Sequence, residues 1–232
     1  DTEEDFATAM IKRNLVIFDW DGTIENSIFH IISSMKAAAR ELRLDEPLEN
    51  DIRNIIGLSL RDAVQILFPN LQVLEIDSLI KHYRVCYRMA QEMGWSLFEN
   101  VETTLNAMKD SNYLLAVATG KSRKGLDRSL RLSGLADIID ISITADETVS
   151  KPNPQMLVEL INHFDISPTA ALMVGDSKYD LEMAQNVPMA SIGVTYGVHE
   201  RCVLIKHSPI ACADDFEEIQ FHVDRYFAEK TK

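Results

Sequence analysis

A chain of 232 residues with 46% hydrophobic and 25% charged side chains has enough apolar residues for one sizeable core, or a core with an insertion, and too many for a disordered chain. Its formal net charge of -13 argues against nucleic acid or anionic membrane as partners, which want a basic face, but not against a small anionic substrate held by local cations or a metal. The three cysteines, Cys86, Cys202 and Cys212, form neither a disulfide framework nor a zinc pattern, which suits a reducing cytoplasm, and no stretch is long and apolar enough to span a bilayer.

Asp1 to Ala9 is acidic and aperiodic, and is expected to be a tail or an expression remnant. Leu15 to Phe18 is an unbroken apolar run, as expected of a strand covered on both faces. It stops at Asp19-Trp20-Asp21-Gly22-Thr23, which places two carboxylates just past a strand end, with Gly22 free to turn sharply. Two acids separated by one residue repel unless a cation or a proton lies between them, so a hard metal such as Mg²⁺ is one reading; a surface turn capping local amides is the other.

Helical spacing follows. Asn26 or Ser27 is the expected N-cap of a helix carrying Ile28, Ile31, Ile32, Met35, Ala38, Ala39 and Leu42 on one face. Pro47 breaks it, Asp51 to Ile56 makes a short helix closed by Gly57, and Ser59 caps another with Leu60, Ala63, Val64 and Leu67 inward. Leu71 to Met93 reads as a long amphipathic helix closed by Gly94. No strand interrupts residues 25–94, which points to a helical insertion acting as a cap, with residues 10–24 and 95–232 forming the core.

Beyond it strands and helices alternate. A helix covers Val101 to Lys109, a strand runs from Leu114 to Ala118 and ends at Thr119-Gly120, and a helix from Ser122 to Leu132 stops at Gly134. Ile141 to Ala145 is a short strand, and Lys151-Pro152-Asn153-Pro154 leads into a helix through His163. Ala170 to Val174 is a buried strand ending at Gly175-Asp176, Ser177 to Asn186 a helix, Ala190 to Val194 a strand, and Phe216 to Phe227 a closing helix. The alternation implies an α/β fold with a doubly wound, Rossmann-like parallel sheet and right-handed crossovers.

In such a sheet Asp19 with Asp21, Thr119, and Asp176 share one edge. Thr119 with Gly120 suits a phosphate cradle or a plain N-cap. Asp176 and Asp180, one turn apart at a helix start, suit a metal site or dipole compensation. Lys151 is a surface charge or a phosphate ligand. The six histidines form no metal-ligand pattern.

The set as a whole, Asp19-Trp-Asp-Gly-Thr, then Thr119, then Lys151-Pro, then Gly175-Asp176 through Asp180, resembles the haloacid dehalogenase superfamily over nearly the whole chain from Leu15. The helical insertion looks like that family's small α-helical cap, and Gly57-Leu-Ser, Leu67-Phe-Pro and Lys151-Pro-Asn-Pro look most like its phosphoglycolate phosphatases. The resemblance implies that Asp19 is a nucleophile forming an aspartyl phosphate and that Asp21 is a general acid and base. It also implies that Mg²⁺ is held by Asp19, Asp176 and the main-chain carbonyl of Asp21. Thr119, Gly120 and Lys151 would then hold phosphoryl oxygens, with Asp180 orienting Asp176 or metal waters.

The carboxylate at Asp21 points to a phosphatase or phosphomutase within the superfamily. Trp20 and the Ile24-Glu25-Asn26-Ser27 segment depart from its usual pattern. The segment Gly57 to Arg61, including Ser59, is the expected specificity loop, with Arg61 able to read a substrate carboxylate. The expected partner is a small phosphorylated metabolite, 2-phosphoglycolate first, acted on by a monomer or homodimer. A sugar-phosphate mutase, a pyrophosphatase or nucleotide phosphatase, and a non-catalytic binding module are the competing readings.

Overall fold

A computed structural model describes residues 13–230. The expected tail and the residues up to Lys12 lie outside that range. Six parallel strands form one sheet in the order β3-β2-β1-β4-β5-β6, with β1 at Leu15–Phe18, β2 at Leu114–Thr119, β3 at Ile141–Thr144, β4 at Ala171–Gly175, β5 at Ala190–Val194 and β6 at Ala211–Ala213. The two-sided burial expected of β1 is visible residue by residue. Val16 and Phe18 enter one apolar cluster with helices α5 (Val101–Asp110), α6 (Arg123–Ser133) and α10 (Glu217–Lys230). Leu15 and Ile17 enter the opposite cluster with α7 (Gln155–His163) and α8 (Lys178–Gln185). Alternate side chains of one strand thus feed two cores, which is why the sequence shows no alternation of polarity there.

Four helices separate β1 from α5: α1 (Ile28–Glu41), α2 (Glu49–Ile55), α3 (Leu60–Leu67) and α4 (Val73–Gly94). They close around an apolar cluster of their own, built from Ile31, Met35, Ile52, Val64, Leu79 and neighbours. Ser59 caps α3 as expected, accepting from the Asp62 amide. The cap of α1 differs from expectation. Ser27 occupies the N-cap position but makes no side-chain cap bond; its hydroxyl donates to Asp21 Oδ1 at 2.7 Å instead. The start of α4 moves from Leu71 to Val73, because Gln72 and Glu75 form a capping box there.

Residues 195–215, unassigned from the sequence, contain a short helix α9 (Arg201–Leu204) and the edge strand β6. Three residues, Ala-Cys-Ala, are too short to show a strand period, and they pair only with β5. Short edge strands of this kind are common because they offer little template for unwanted pairing.

The register sets up the site. Phe18 lies level with Val117 of β2 and with Val174 of β4. Asp19 therefore emerges beside Ala118 and Gly175, within one residue of Thr119 and Asp176. This is also where the chain path reverses direction across the sheet, the crevice in which open α/β sheets bind their ligands.

Candidate active site

Asp19 is buried at the carboxyl end of β1, with 1% of its surface exposed. Its Oδ1 accepts from Lys151 Nζ at 2.6 Å, and the same ammonium donates to Asp180 Oδ1 at 2.7 Å. Its other oxygen, Oδ2, is buried with no hydrogen-bond partner. A buried carboxylate oxygen left this way is costly and invites a ligand. Burial pushes the Asp19 carboxyl up to about 7, against the pull of Lys151, with the charge of Asp180 adding to the rise. Burial disfavours the Lys151 ammonium, yet the carboxylates of Asp180 and Asp19 outweigh it and hold Lys151 above the ordinary lysine range.

Asp176 follows β4. Its Oδ1 accepts from Thr23 Oγ1 at 3.2 Å and its Oδ2 from the Val198 amide at 2.7 Å. Burial holds it well above the usual carboxylate range, and the charges of Asp19 and Asp180 push in the same direction. Asp19, Asp176 and Asp180 lie within 4.8 Å of one another and are all buried. Three carboxylates against one ammonium are short of positive charge, and the unpartnered Asp19 Oδ2 leaves that cluster an oxygen free to take a cation. Asp180 is already committed. Its Oδ1 is on Lys151, while its Oδ2 accepts from the Ser177 amide at 3.0 Å and the Ser177 hydroxyl at 2.7 Å.

Gly22, at φ +80°, makes the turn that keeps Asp21 beside Asp19, and a Cβ there would overlap the Asp176 carboxylate. Thr119 is fully buried, and its hydroxyl oxygen accepts from the Lys121 amide at 3.1 Å. A Cβ on Gly120 would overlap the Leu58 carbonyl oxygen and fall 2.7 Å from that of Gly57. The Gly57 to Arg61 segment does reach the sheet edge: it lies on Gly120, and the Ser59 amide donates to Ser150 Oγ at 2.9 Å. Arg61 is not brought to Asp19 as a free cation. Half exposed, it is paired with Asp77 of α4.

The sequence reading missed a second network. Lys121 Nζ lies 2.8 Å from Asp21 Oδ1, 2.9 Å from the Tyr87 hydroxyl and 3.9 Å from Glu25 Oε2. Glu25, 1% exposed, accepts from Trp20 Nε1 at 2.6 Å, Ser129 Oγ at 2.7 Å, and both Tyr87 OH and Gln91 Nε2 at 3.1 Å. Burial alone would raise the Glu25 carboxyl, but Lys121, Ser129, Trp20 and Gln91 together hold it below the ordinary value. Tyr87 and Gln91 belong to α4, so the network ties the four-helix unit to the Asp21 carboxylate. Two signals were available: a lysine immediately after Thr119-Gly120, and an acid at Glu25 between the motif Asp19 to Thr23 and the start of the next helix.

A family model for haloacid dehalogenase-like hydrolases matches residues 16–194, the span that carries all four motifs. The chain belongs to that family. A relative from Dickeya dadantii, the probable phosphatase IndB, is 33% identical over 212 residues, covering 89% of this chain and 92% of that protein. The pyrophosphatase PpaX of Bacillus cereus is 29% identical over 210 residues, covering 90% and 95%. Among solved structures, a predicted phosphoglycolate phosphatase from Haemophilus somnus superposes with a TM-score of 0.80 at 27% identity, covering 91% of this chain and 98% of that one. A predicted phosphatase from Clostridium acetobutylicum shares the fold, with a TM-score of 0.81 at 23% identity and coverage of 92% and 99%.

Proposed function

We propose that this haloacid dehalogenase-like hydrolase is a Mg²⁺-dependent phosphatase. It would act on the monoester of a small metabolite with an anionic leaving group, of which 2-phosphoglycolate is the smallest member. The observation that carries the reading is Asp19, with one oxygen fixed by Lys151 and the other buried and unpartnered, in a buried carboxylate cluster with Asp176 and Asp180. The chain's relatives include proteins named as phosphatases. Residues 25–94 act as the cap, and residues 10–24 and 95–232 form the catalytic core. The three cysteines are free, which suits a cytoplasmic enzyme.

Asp19 attacks phosphorus in line as the bond to the leaving oxygen breaks, forming an aspartyl phosphate. Asp21, held by Ser27 and Lys121, gives its proton to the departing oxygen. In the second step Asp21 takes a proton from water, whose oxygen attacks phosphorus and breaks the bond to Asp19, releasing inorganic phosphate. Thr119, the Gly120 amide and Lys151 hold the phosphoryl oxygens, and Asp180 keeps Lys151 and the α8 N-terminus in place. Asp19, Asp176 and the Asp21 carbonyl are the residues that would hold Mg²⁺, which supplies positive charge to offset carboxylate–phosphate repulsion.

The test is phosphate release from a panel of phosphorylated metabolites and p-nitrophenyl phosphate, with Mg²⁺ and with chelator, for the wild type beside Asp19→Asn. Release that needs Mg²⁺ and vanishes in Asp19→Asn supports the reading. Turnover by Asp19→Asn near the wild-type rate removes Asp19 as nucleophile. Pyrophosphate belongs in the panel because of the PpaX relative.

A further inference from the structure

The cleft beside Asp19 and Asp21 has a volume of about 1280 Å³ and is bounded by the cap on one side and by the segment after β2, α6 and the segment after β3 on the other. That is far more room than a two-carbon phosphate ester fills. Its charge is also opposite to that of the chain. Eight of the 23 lysines and arginines line it, against five of the 36 acidic residues, in a protein of net charge -13.

The cations are arranged in two rows. Lys81, Arg84 and Arg88 follow one another at i, i+3 and i+7 on α4, and Lys124, Arg128 and Arg131 at i, i+4 and i+7 on α6. These spacings put each trio on a single helix face, and both faces line the same cleft. Arg128 reaches Glu92 at 3.3 Å. Among the described residues the other five form no ion pair, although acidic side chains outnumber basic ones in the chain by a wide margin. Like charges at i, i+3 and i+4 repel and weaken a helix. Two such rows lining one cleft lower stability unless an anion sits between them.

We infer that the two rows bind a second phosphoryl group on the leaving portion of the substrate, so that the preferred substrate is a bisphosphorylated metabolite rather than a monophosphate with a neutral leaving group. The inference rests on the phosphatase reading and narrows its substrate class. Arginines at Arg84, Arg88 and Arg128 suit phosphate because a planar guanidinium matches its oxygens with two parallel hydrogen bonds. One reacting phosphoryl group would lie at Asp19 and Lys151, the other between α4 and α6. Arg61 stays with Asp77, and recognition of a lone carboxylate through Arg61 would first require breaking that pair.

The experiment compares fructose 6-phosphate with fructose 1,6-bisphosphate, and adenosine 5′-monophosphate with adenosine 3′,5′-bisphosphate, using the full chain with Mg²⁺. The bisphosphate of at least one pair is expected to have kcat/KM higher by about 10-fold or more, mainly through KM, with the advantage shrinking as salt rises. The double variant Arg84→Gln/Arg88→Gln should reduce that advantage about 10-fold. Arg225→Gln, exposed on α10 and paired with Glu229, serves as the remote control and should leave it intact. Equal kcat/KM within both pairs, or an advantage that survives the double variant, overturns the inference.

p-Nitrophenyl phosphate reads the phosphatase reading separately, since it carries no second phosphoryl group. Calorimetric binding to Asp19→Asn keeps the inference testable without turnover. Tighter binding of a bisphosphate than of its monophosphate by about 10-fold supports it, and equal Kd values in both pairs overturn it.

Discussion

Trp20 donates its indole N–H to Glu25 at 2.6 Å, so a residue that departs from the usual motif pattern is bonded to one inside the other departing segment. Both are buried, and through Lys121 they connect to Asp21. A large indole and a glutamate close to Asp19 are explained together: the glutamate needs donors once buried, and the indole is one of them.

Glu25→Gln should destabilise the protein by about 2–4 kcal/mol, because it removes a buried charge that compensates Lys121 and leaves an amide among donors. Trp20→Phe should cost about 1–3 kcal/mol through the lost donor and the lost volume. Urea denaturation of both single variants and the double variant would measure their coupling, which should reach at least about 0.5 kcal/mol. Strict additivity would show that the bond contributes nothing.

The same residue gives a pH dependence. Glu25 is held below its unfolded value of 4.5, so in the folded state it stays ionised where the unfolded chain takes up a proton. Its contribution is fully present above pH 4.5 and is lost as pH falls through the depressed folded value. The stability gap between wild type and Glu25→Gln, followed by urea melts at successive pH values, should therefore narrow below pH 4.5. A gap that stays constant or widens there contradicts the assignment.

Asp176→Asn removes one of three buried carboxylates whose mutual repulsion is only partly offset by Lys151. Without metal the variant should melt at or above the wild-type temperature. With Mg²⁺ the wild type should be stabilised, as expected for a ligand that binds only the folded state, and the variant should show little or none of this shift. Differential scanning fluorimetry with and without chelator reads both. An equal Mg²⁺ shift in the two proteins would place the cation elsewhere.

Gly120→Ala should push the Gly57–Leu58 segment off the sheet edge, since the new methyl would overlap backbone oxygens rather than a flexible side chain. The expected result is a fall in kcat/KM of about 10-fold or more with secondary structure by circular dichroism unchanged, because a displacement of about 1 Å near a reacting group can cost 10²-fold. Kinetics within twofold of wild type would mean that the loop contact is dispensable.

Five of the six strands, and the order of the motifs along the chain, were legible in local sequence. Leu15 to Phe18 is apolar throughout because the strand feeds cores on both faces. The polar residues that follow β1, β2 and β4 meet because parallel strands in register bring their ends to one edge. Those are short-range patterns. What they could not carry was any pairing across large separations between unlike elements. Lys121 reaches Asp21 and Glu25 across about a hundred residues, and Arg61 finds Asp77 on another helix rather than a substrate. Ser27 turns from its helix to Asp21, and the cation rows of α4 and α6 come to line one cleft only because the four-helix unit lies against the sheet edge. A helical or strand period records which face of an element is buried. Which element covers it, and which charges therefore meet, is settled by the packing of the whole chain.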